Sequence, residues 1–256
     1  MIISHKYKYL FLETPHTGST AISRELRENY AGVSILHKHA IYPEFLVVSS
    51  PEEKEYKVFA GIRNPLDEAV TQYFKYKTNH DGIYSNKSNL LINGGWVTPE
   101  NLSRFRFIQE TDADFETYFL KYYTRTYTNV ISLAKNVLHF VIRFEHLQED
   151  FGRALDHLGI EQVRPLPHTN STSGRKRDYR SYYTPACYDR AHKVFGAYMQ
   201  RWGYEFPRQW GVDTVSWPRQ VSYRVQDALK RFYWVNILWG TTRYARALRS
   251  LLMRTN

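Results

Sequence analysis

A short polar turn near the start of the chain has the residues needed to bind a phosphate group. Residues 7–12 form an aromatic and aliphatic run that predicts a strand, and residues 21–27 are good helix formers. Between them lie one glycine and three hydroxyl residues in the sequence Pro15, His16, Thr17, Gly18, Ser19 and Thr20. A glycine-containing turn that leads into a helix directs several backbone N–H groups at one point, which suits a phosphate. An ordinary strand-to-helix turn with a Ser or Thr cap would show the same pattern.

This turn is not a Walker A loop. That motif requires Gly-Lys-Ser/Thr, in which the lysine reaches the outer phosphates and the hydroxyl holds magnesium. Here Gly18 is followed directly by Ser19 and Thr20, and the turn contains no lysine. The turn is therefore poorly suited to a magnesium-bound triphosphate and better suited to a single terminal phosphate or phosphosulfate.

A second group of anion-binding side chains follows the next predicted strand, residues 56–62. Arg63 comes where that strand would end, at the edge where α/β sheets bind ligands. Asn64 and Pro65 form a strong signal for a helix start, and Thr71 lies two turns into that helix. The guanidinium fork of Arg63 and the hydroxyl of Thr71 would together grip one phosphate. The alternative is a capped helix beside a solvated arginine.

Two histidines are candidates for acid–base chemistry. Residues 33–40 form an apolar run that includes His37 and His39, and residues two apart share a face of an extended strand. Because imidazole titrates near neutral pH, we interpret the pair as a general base at the end of a strand. A metal would need a third ligand that the sequence does not supply, and ordinary surface or core histidines are the remaining alternative.

Two polar segments are candidates for loops over a ligand. One carries the consecutive cations Arg175, Lys176 and Arg177, which would close over an anion if they lay near its site and would otherwise be a solvated turn. The other, residues 78–104, is rich in Asn, Gly and Ser and predicts a long loop, for which an acceptor-binding lid is a plausible role.

The order of predicted elements indicates an α/β fold. Strands at 7–12, 56–62 and 138–145 alternate with helices, a pattern that predicts a parallel sheet with right-handed crossovers. With 256 residues, of which 43% are hydrophobic, the chain can bury a full core. We therefore predict a three-layer architecture with a central parallel sheet.

Cysteine content and hydropathy give an expected location. The single cysteine, Cys187, excludes an internal disulfide framework and a cysteine-rich zinc site, which favours a reducing compartment. No segment reaches the roughly 18–20 apolar residues of a membrane span, and the first strand leaves no room for a signal peptide. We expect a cytoplasmic protein.

The positive charge is concentrated in the last part of the chain. Residues 219–256 hold eight basic side chains against one acid, Asp227, and so contribute seven of the net +10. The high pI therefore does not indicate a nucleic-acid partner. Apolar residues share two helical faces in this tail, and Trp234 and Trp239 add aromatic anchors; the faces consist of Val221, Val225, Leu229, Phe232 and Val235, and of Tyr244, Ala247, Leu248, Leu251 and Leu252.

Basic amphipathic helices of this kind are typical of peripheral association with an anionic membrane, here the inner membrane surface. Docking on the chain's own domain or on a partner chain would look similar. We predict a domain over residues 1–210 and a basic amphipathic helical tail over residues 211–256.

Taken together, the motifs resemble those of the carbohydrate sulfotransferases that use 3′-phosphoadenosine 5′-phosphosulfate (PAPS) and have a P-loop-like sulfotransferase fold. Residues 15–20 are similar to the 5′-phosphosulfate loop, Pro-Lys-Thr-Gly-Gly/Ser-Thr. Arg63-Asn64-Pro65 with Thr71 resembles the 3′-phosphate element. Residues 37–40 resemble the His-x-His segment of uronyl-type members, and residues 143–147, 178–185 and 202–206 resemble later family segments.

The resemblance implies roles for individual residues. Pro15 to Thr20 would bind the 5′-phosphosulfate, Arg63 and Thr71 the 3′-phosphate, and Arg175 and Arg177 would add to that pocket. His39 would deprotonate a hydroxyl of a saccharide or glycolipid acceptor, with His37 beside it, and no metal would be required. His16 stands where the family has a lysine that steadies the departing oxygen, and a protonated imidazole can donate to that oxygen.

Two other functions fit parts of the sequence. A small-molecule kinase would share a phosphate-binding turn, but the missing Gly-Lys-Ser/Thr argues against it. A non-catalytic nucleotide-binding or membrane-adaptor protein with the same fold would accommodate the change from lysine to His16.

Overall fold

The computed structural model describes residues 1–167, 175, 178–211 and 215–234, and it divides into two compact units. The first unit consists of Met1–Arg63, Thr128–Thr169 and Val221–Asn256. The second consists of Asn64–Tyr127 and Asn170–Gln220. The predicted division at residue 210 stays a prediction.

The first unit is built on a sheet. Its described residues form five strands in the order β3-β1-β2-β4-β5, with the bounds β1 Ile2–Ser4, β2 Tyr9–Leu12, β3 Val33–Ser34, β4 Lys57–Ile62 and β5 Leu138–Arg143. The pairs β2–β4 and β4–β5 are parallel, whereas β1 is antiparallel to both of its neighbours. The predicted parallel sheet is thus confirmed as a mostly parallel one with a single reversed strand.

The part of the chain that the structure describes contains eight α-helices. They are α1 Ser19–Asn29, α2 Tyr42–Val48, α3 Pro65–Lys77, α4 Pro99–Thr111, α5 Phe115–Tyr122, α6 Leu147–Leu158, α7 Pro185–Trp202 and α8 Trp217–Phe232. None of these helices is both long enough and apolar enough to cross a membrane.

The core of the first unit joins the sheet to α1 and α6. Helix α6 presents an apolar stripe and is capped by Gly159, whose φ of +72° is a conformation that glycine adopts without strain. The buried members of this core include Tyr9, Phe11, Ile22, Leu26, Phe59, Phe151 and Leu155. Burying these large side chains fixes α1, and with it the turn that precedes α1.

The second unit is helical in its described residues, and its core is aromatic. The start of α3 is as predicted: Pro65 occupies its first turn, and the Asn64 side chain accepts a hydrogen bond of 3.0 Å from the N–H of Leu66. Rings of α3, α5 and α7 pack edge to face or stacked on one another and on Tyr183, which precedes α7; the helical rings include Tyr73, Phe115, Tyr118, Phe119 and Phe195.

Two sequence predictions require correction. The long loop predicted over residues 78–104 ends earlier, because Thr98 caps α4 through the N–H of Asn101 and the helix begins at Pro99. The extended run predicted over residues 33–40 ends at Ser34, and Leu36 and His39 have left-handed backbones with φ of +56° and +66°. His37 and His39 therefore do not share a strand face.

Candidate functional site

The turn between β2 and α1 ends in a left-handed glycine directly before a helix. Its last residue, Gly18, has a φ of +74° and immediately precedes the helix that starts at Ser19. Because glycine has no side chain to cap the helix, the first N–H groups of α1 are not used by a cap at that position. His16 also has a positive φ, +64°, a conformation that costs a residue with a Cβ about 1–2 kcal/mol. The turn predicted from the sequence is thus confirmed, and its backbone is strained at His16.

A buried carboxylate anchors the start of this turn. Glu13 Oε1 accepts a hydrogen bond of 2.7 Å from Ser23 Oγ on α1, and Oε2 is 2.7 Å from the ammonium group of Met1. Burial by itself raises the pKa of Glu13, but the hydrogen bonds from these two donors outweigh burial and hold the pKa below its usual value. Glu13 therefore stays ionised and ties the end of β2 to the first helix.

The middle of the turn packs directly on the neighbouring strand. Thr17 is buried, and its hydroxyl donates to the carbonyl of Thr14 over 2.8 Å. A Cβ placed on Gly61 of β4 would lie only 2.5 Å from Thr17 Oγ1. Glycine is therefore needed at this point of β4, because a side chain there would displace the turn.

Arg63 connects the turn to two strand ends within the first unit. Its Nη1 donates to the carbonyl of His16 over 3.0 Å, and its guanidinium carbon lies 4.1 Å from the ring centre of Phe144, just after β5. Arg63 itself follows β4 and is only 5% exposed. Because the three strands are parallel neighbours, their carboxyl ends meet at one edge. The segments near residues 16 and 63, predicted to act together, are thus in contact.

The two candidate histidines have different surroundings. His39 Nδ1 is 2.6 Å from the backbone oxygen of Glu13, whereas His37 Nε2 is 2.8 Å from Glu44 Oε2 on the exposed surface. A carbonyl oxygen can only accept, so the hydrogen bond of His39 places its proton on Nδ1 and the lone pair on Nε2. His39 is therefore oriented as a base beside the turn, and His37 is held by Glu44.

The protonation of His39 also favours a base. Burial lowers the pKa of His39 below its ordinary value, and the hydrogen bond to Glu13 offsets this effect only in part. A cavity of about 20 Å³ borders His39 and the end of β2, which is room for about one water molecule. An acceptor hydroxyl on a larger molecule would have to approach Nε2 from outside this cavity.

A lysine that was not among the predicted site residues lies beside the turn. Lys38 Nζ donates a hydrogen bond of 3.1 Å to Thr20 Oγ1, in the first turn of α1. Lys38 was not predicted as a site residue, because the resemblance implies a lysine inside the turn, where His16 stands. The available signal was that Lys38 sits between the two candidate histidines.

In the second unit, two of the predicted phosphate ligands contact each other. Arg175 Nη1 donates to Thr71 Oγ1 over 2.6 Å, and the Thr71 hydroxyl donates to the carbonyl of Asp67 over 3.0 Å. The guanidinium of Arg175 also pairs with the carboxylate of Asp67, a residue that the sequence analysis did not single out. An anion bound by Arg175 would have to compete with this carboxylate. Arg177 lies outside the described residues.

The first unit thus brings hydrogen-bond donors and an imidazole to one turn. The donors are the N–H groups at the start of α1 and the ammonium of Lys38, and His39 has its lone pair on Nε2. Comparisons of the chain with models of protein families, with curated proteins and with solved structures found no match.

Proposed function

We propose that this protein transfers a sulfuryl group from PAPS to a hydroxyl of a saccharide or glycolipid. The observation that carries the proposal is the contact between the His16 carbonyl and Arg63, which joins the Gly18 turn to the end of the next parallel strand. This arrangement suits a terminal phosphosulfate. The P-loop-like identity of the fold is part of the same proposal.

In the proposed reaction, His39 Nε2 removes the proton from the acceptor hydroxyl as its oxygen attacks sulfur. The bond between sulfur and the bridging oxygen breaks, and 3′-phosphoadenosine 5′-phosphate (PAP) departs with the electron pair. Negative charge grows on that bridging oxygen, as in phosphoryl transfer. Donors directed at this oxygen lower the barrier, and we assign that role to the N–H groups after Gly18 with His16 and Lys38.

In the proposed site, Lys38 takes the place of the lysine that the resemblance implies for the turn. The family's lysine lies inside the loop, where this chain has His16. The ammonium of Lys38 reaches the same turn from the neighbouring segment through its 3.1 Å hydrogen bond to Thr20. We therefore assign the positive charge at the transfer site to Lys38.

Within the second unit, the 3′-phosphate is assigned to Thr71 and Arg175. Thr71 and Arg175 already share a hydrogen bond, and Arg175 presents a fork that matches phosphate oxygens. Asp67 holds that fork through an ion pair, and phosphate would take its place. Because the Asp67 carboxylate competes for Arg175, we expect a ligand group with more negative charge than one carboxylate to bind there best.

The proposal is tested by nucleotide binding and by transfer. PAP should bind in isothermal calorimetry more tightly than AMP, which lacks the 3′-phosphate, and incubation with radiolabelled PAPS should place label on members of a glycan and glycolipid panel. Failure to bind PAP would refute the proposal. PAP binding without transfer to any acceptor would favour the non-catalytic nucleotide-binding alternative, and turnover of magnesium–ATP would favour the kinase.

A matched pair of variants tests the assignment of Thr71. Thr71 and Thr78 lie seven residues apart, and each donates its hydroxyl to the carbonyl four residues earlier, Asp67 in one case and Phe74 in the other. Thr71→Val should weaken PAP binding about tenfold, the cost of one hydrogen bond to a charged group, whereas Thr78→Val should leave it unchanged. Equal affinities for PAP in both variants would show that Thr71 does not bind the 3′-phosphate.

A further inference from the structure

Helix α8 is attached to the first unit by one face. Asp227 is 1% exposed and forms an ion pair with Lys135, which precedes β5. Tyr223, four residues earlier, is also buried, and Lys230 Nζ is 3.5 Å from Thr128 Oγ1. Because residues three and four apart lie on the same side of a helix, these contacts define one inner face.

The opposite face of α8 is apolar and exposed. Val225, Leu229 and Phe232 lie at spacings of four and three and are 51%, 63% and 58% exposed. Val225 is two residues from both Tyr223 and Asp227, and therefore points away from the inner face. The sequence pattern alone was equally compatible with this apolar stripe docking on the domain. In the structure the stripe faces outward instead.

The outward surface of α8 carries positive charge and no exposed acid. Residues 217–234 contain one acidic residue, Asp227, and it is buried in the pair with Lys135. Arg219 and Arg224 are exposed at the sides of the apolar stripe. The burial of Asp227 therefore removes the negative charge that would otherwise balance these arginines at the surface.

We propose that the outer face of α8 binds an anionic lipid surface. An exposed apolar stripe flanked by arginines, together with the aromatic rings of Phe232 and Tyr233, matches a helix that lies in the plane of a membrane interface. A second copy of the chain is disfavoured as the occupant, because a symmetric contact would bring identical arginines together. This site is independent of the proposed sulfuryl transfer.

The test measures sedimentation of the full chain with vesicles. Vesicles of phosphatidylcholine with 30% phosphatidylglycerol should bind the protein, and vesicles of phosphatidylcholine alone should bind it at least about tenfold more weakly, since each basic residue near an anionic surface contributes about fivefold. Raising the salt concentration should release the protein, because screening shortens the range of this attraction.

Two variants with the same chemical change separate α8 from the remainder of the surface. Val225→Glu places a carboxylate on the outer face, and Val163→Glu places one on another exposed valine of the first unit, 64% exposed. Val225→Glu should weaken binding at least about tenfold, because it removes an inserted apolar side chain and adds a repelled charge. Val163→Glu should bind as the unchanged protein does. Circular dichroism should show that both variants are folded, because both positions are exposed.

The remaining outcomes overturn the proposal. Absence of binding to the anionic vesicles, or equal binding to neutral vesicles, would exclude an anionic lipid surface. Binding that is insensitive to Val225→Glu would place the contact on another part of the chain. Concentration-dependent dimers in analytical ultracentrifugation, lost in Val225→Glu and unaccompanied by vesicle binding, would assign the face to a second copy.

Discussion

Replacing Gly61 by alanine would test whether the phosphate-binding turn depends on its packing against β4. The new Cβ would lie 2.5 Å from Thr17 Oγ1 and 2.7 Å from Thr17 Cβ. Thr17 has little freedom to move, because it is buried and its hydroxyl is bound to the Thr14 carbonyl. Relief of the clash must therefore shift the turn itself.

The expected cost follows from these contacts. Overpacking by one methyl group costs about 1–3 kcal/mol, and loss of the hydrogen bond from Thr17 to Thr14 adds about 1 kcal/mol. A total of about 2–4 kcal/mol corresponds to a fall of at least about 4 °C in melting temperature for a chain of this size. Displacement of the turn should also weaken PAP binding at least about tenfold, because the N–H groups after Gly18 would no longer converge.

The assay compares Gly61→Ala with a glycine replacement in the same unit. Gly152 lies in α6, where an added Cβ meets only the end of the Gln162 side chain at 2.8 Å, and alanine favours a helix. Gly152→Ala should therefore keep or raise the melting temperature measured by circular dichroism. If Gly61→Ala melts and binds PAP as Gly152→Ala does, the packing of the turn on β4 is not what positions it.

Three further predictions follow from the same geometry. His39→Ala should lower turnover about 10²–10⁴-fold with PAP affinity retained. Because only the neutral imidazole accepts a proton, the turnover of the unchanged enzyme should rise with pH through a pKa below about 6.5 and then level off. A fall in turnover across that range would contradict the assignment of His39 as the base. Lys38→Ala should lower sulfuryl transfer at least about tenfold, measured with labelled PAPS, and Lys38→Arg should retain more activity because it keeps the charge near Thr20. Equal activity in the unchanged protein and in both variants would exclude Lys38 from the site. Asp227→Ala should destabilise the packing of α8 by about 1–3 kcal/mol, because the ion pair with Lys135 is lost. The loss should be measurable as faster trypsin cleavage after Arg224, and an unchanged cleavage rate would show that other contacts hold the helix.

Local sequence signals were sufficient for several elements. The positions of Asn64 and Pro65 predicted the start of α3, because a helix cap acts within one turn of the chain. Gly18 likewise marked the turn before α1, since few other residues adopt a positive φ without strain. These features depend on chain neighbours and are therefore readable from the sequence.

Contacts between distant segments could not be read in this way. The sequence placed His37 and His39 on one strand face, whereas left-handed backbones at Leu36 and His39 direct them to Glu44 and Glu13. The approach of Lys38 to Thr20 likewise depends on how the segment after β3 folds back, which local propensity does not encode.

The sequence by itself determined that this chain forms an α/β fold with a glycine turn before its first long helix, and that the residues of α8 are basic and amphipathic. Only the tertiary structure decided which groups line that turn and which face of α8 remains exposed. The physical reason is that both features depend on contacts between buried residues that lie far apart in the sequence. The ion pair of Asp227 with Lys135 and the packing of Thr17 on Gly61 are two such contacts, and a linear pattern does not specify them.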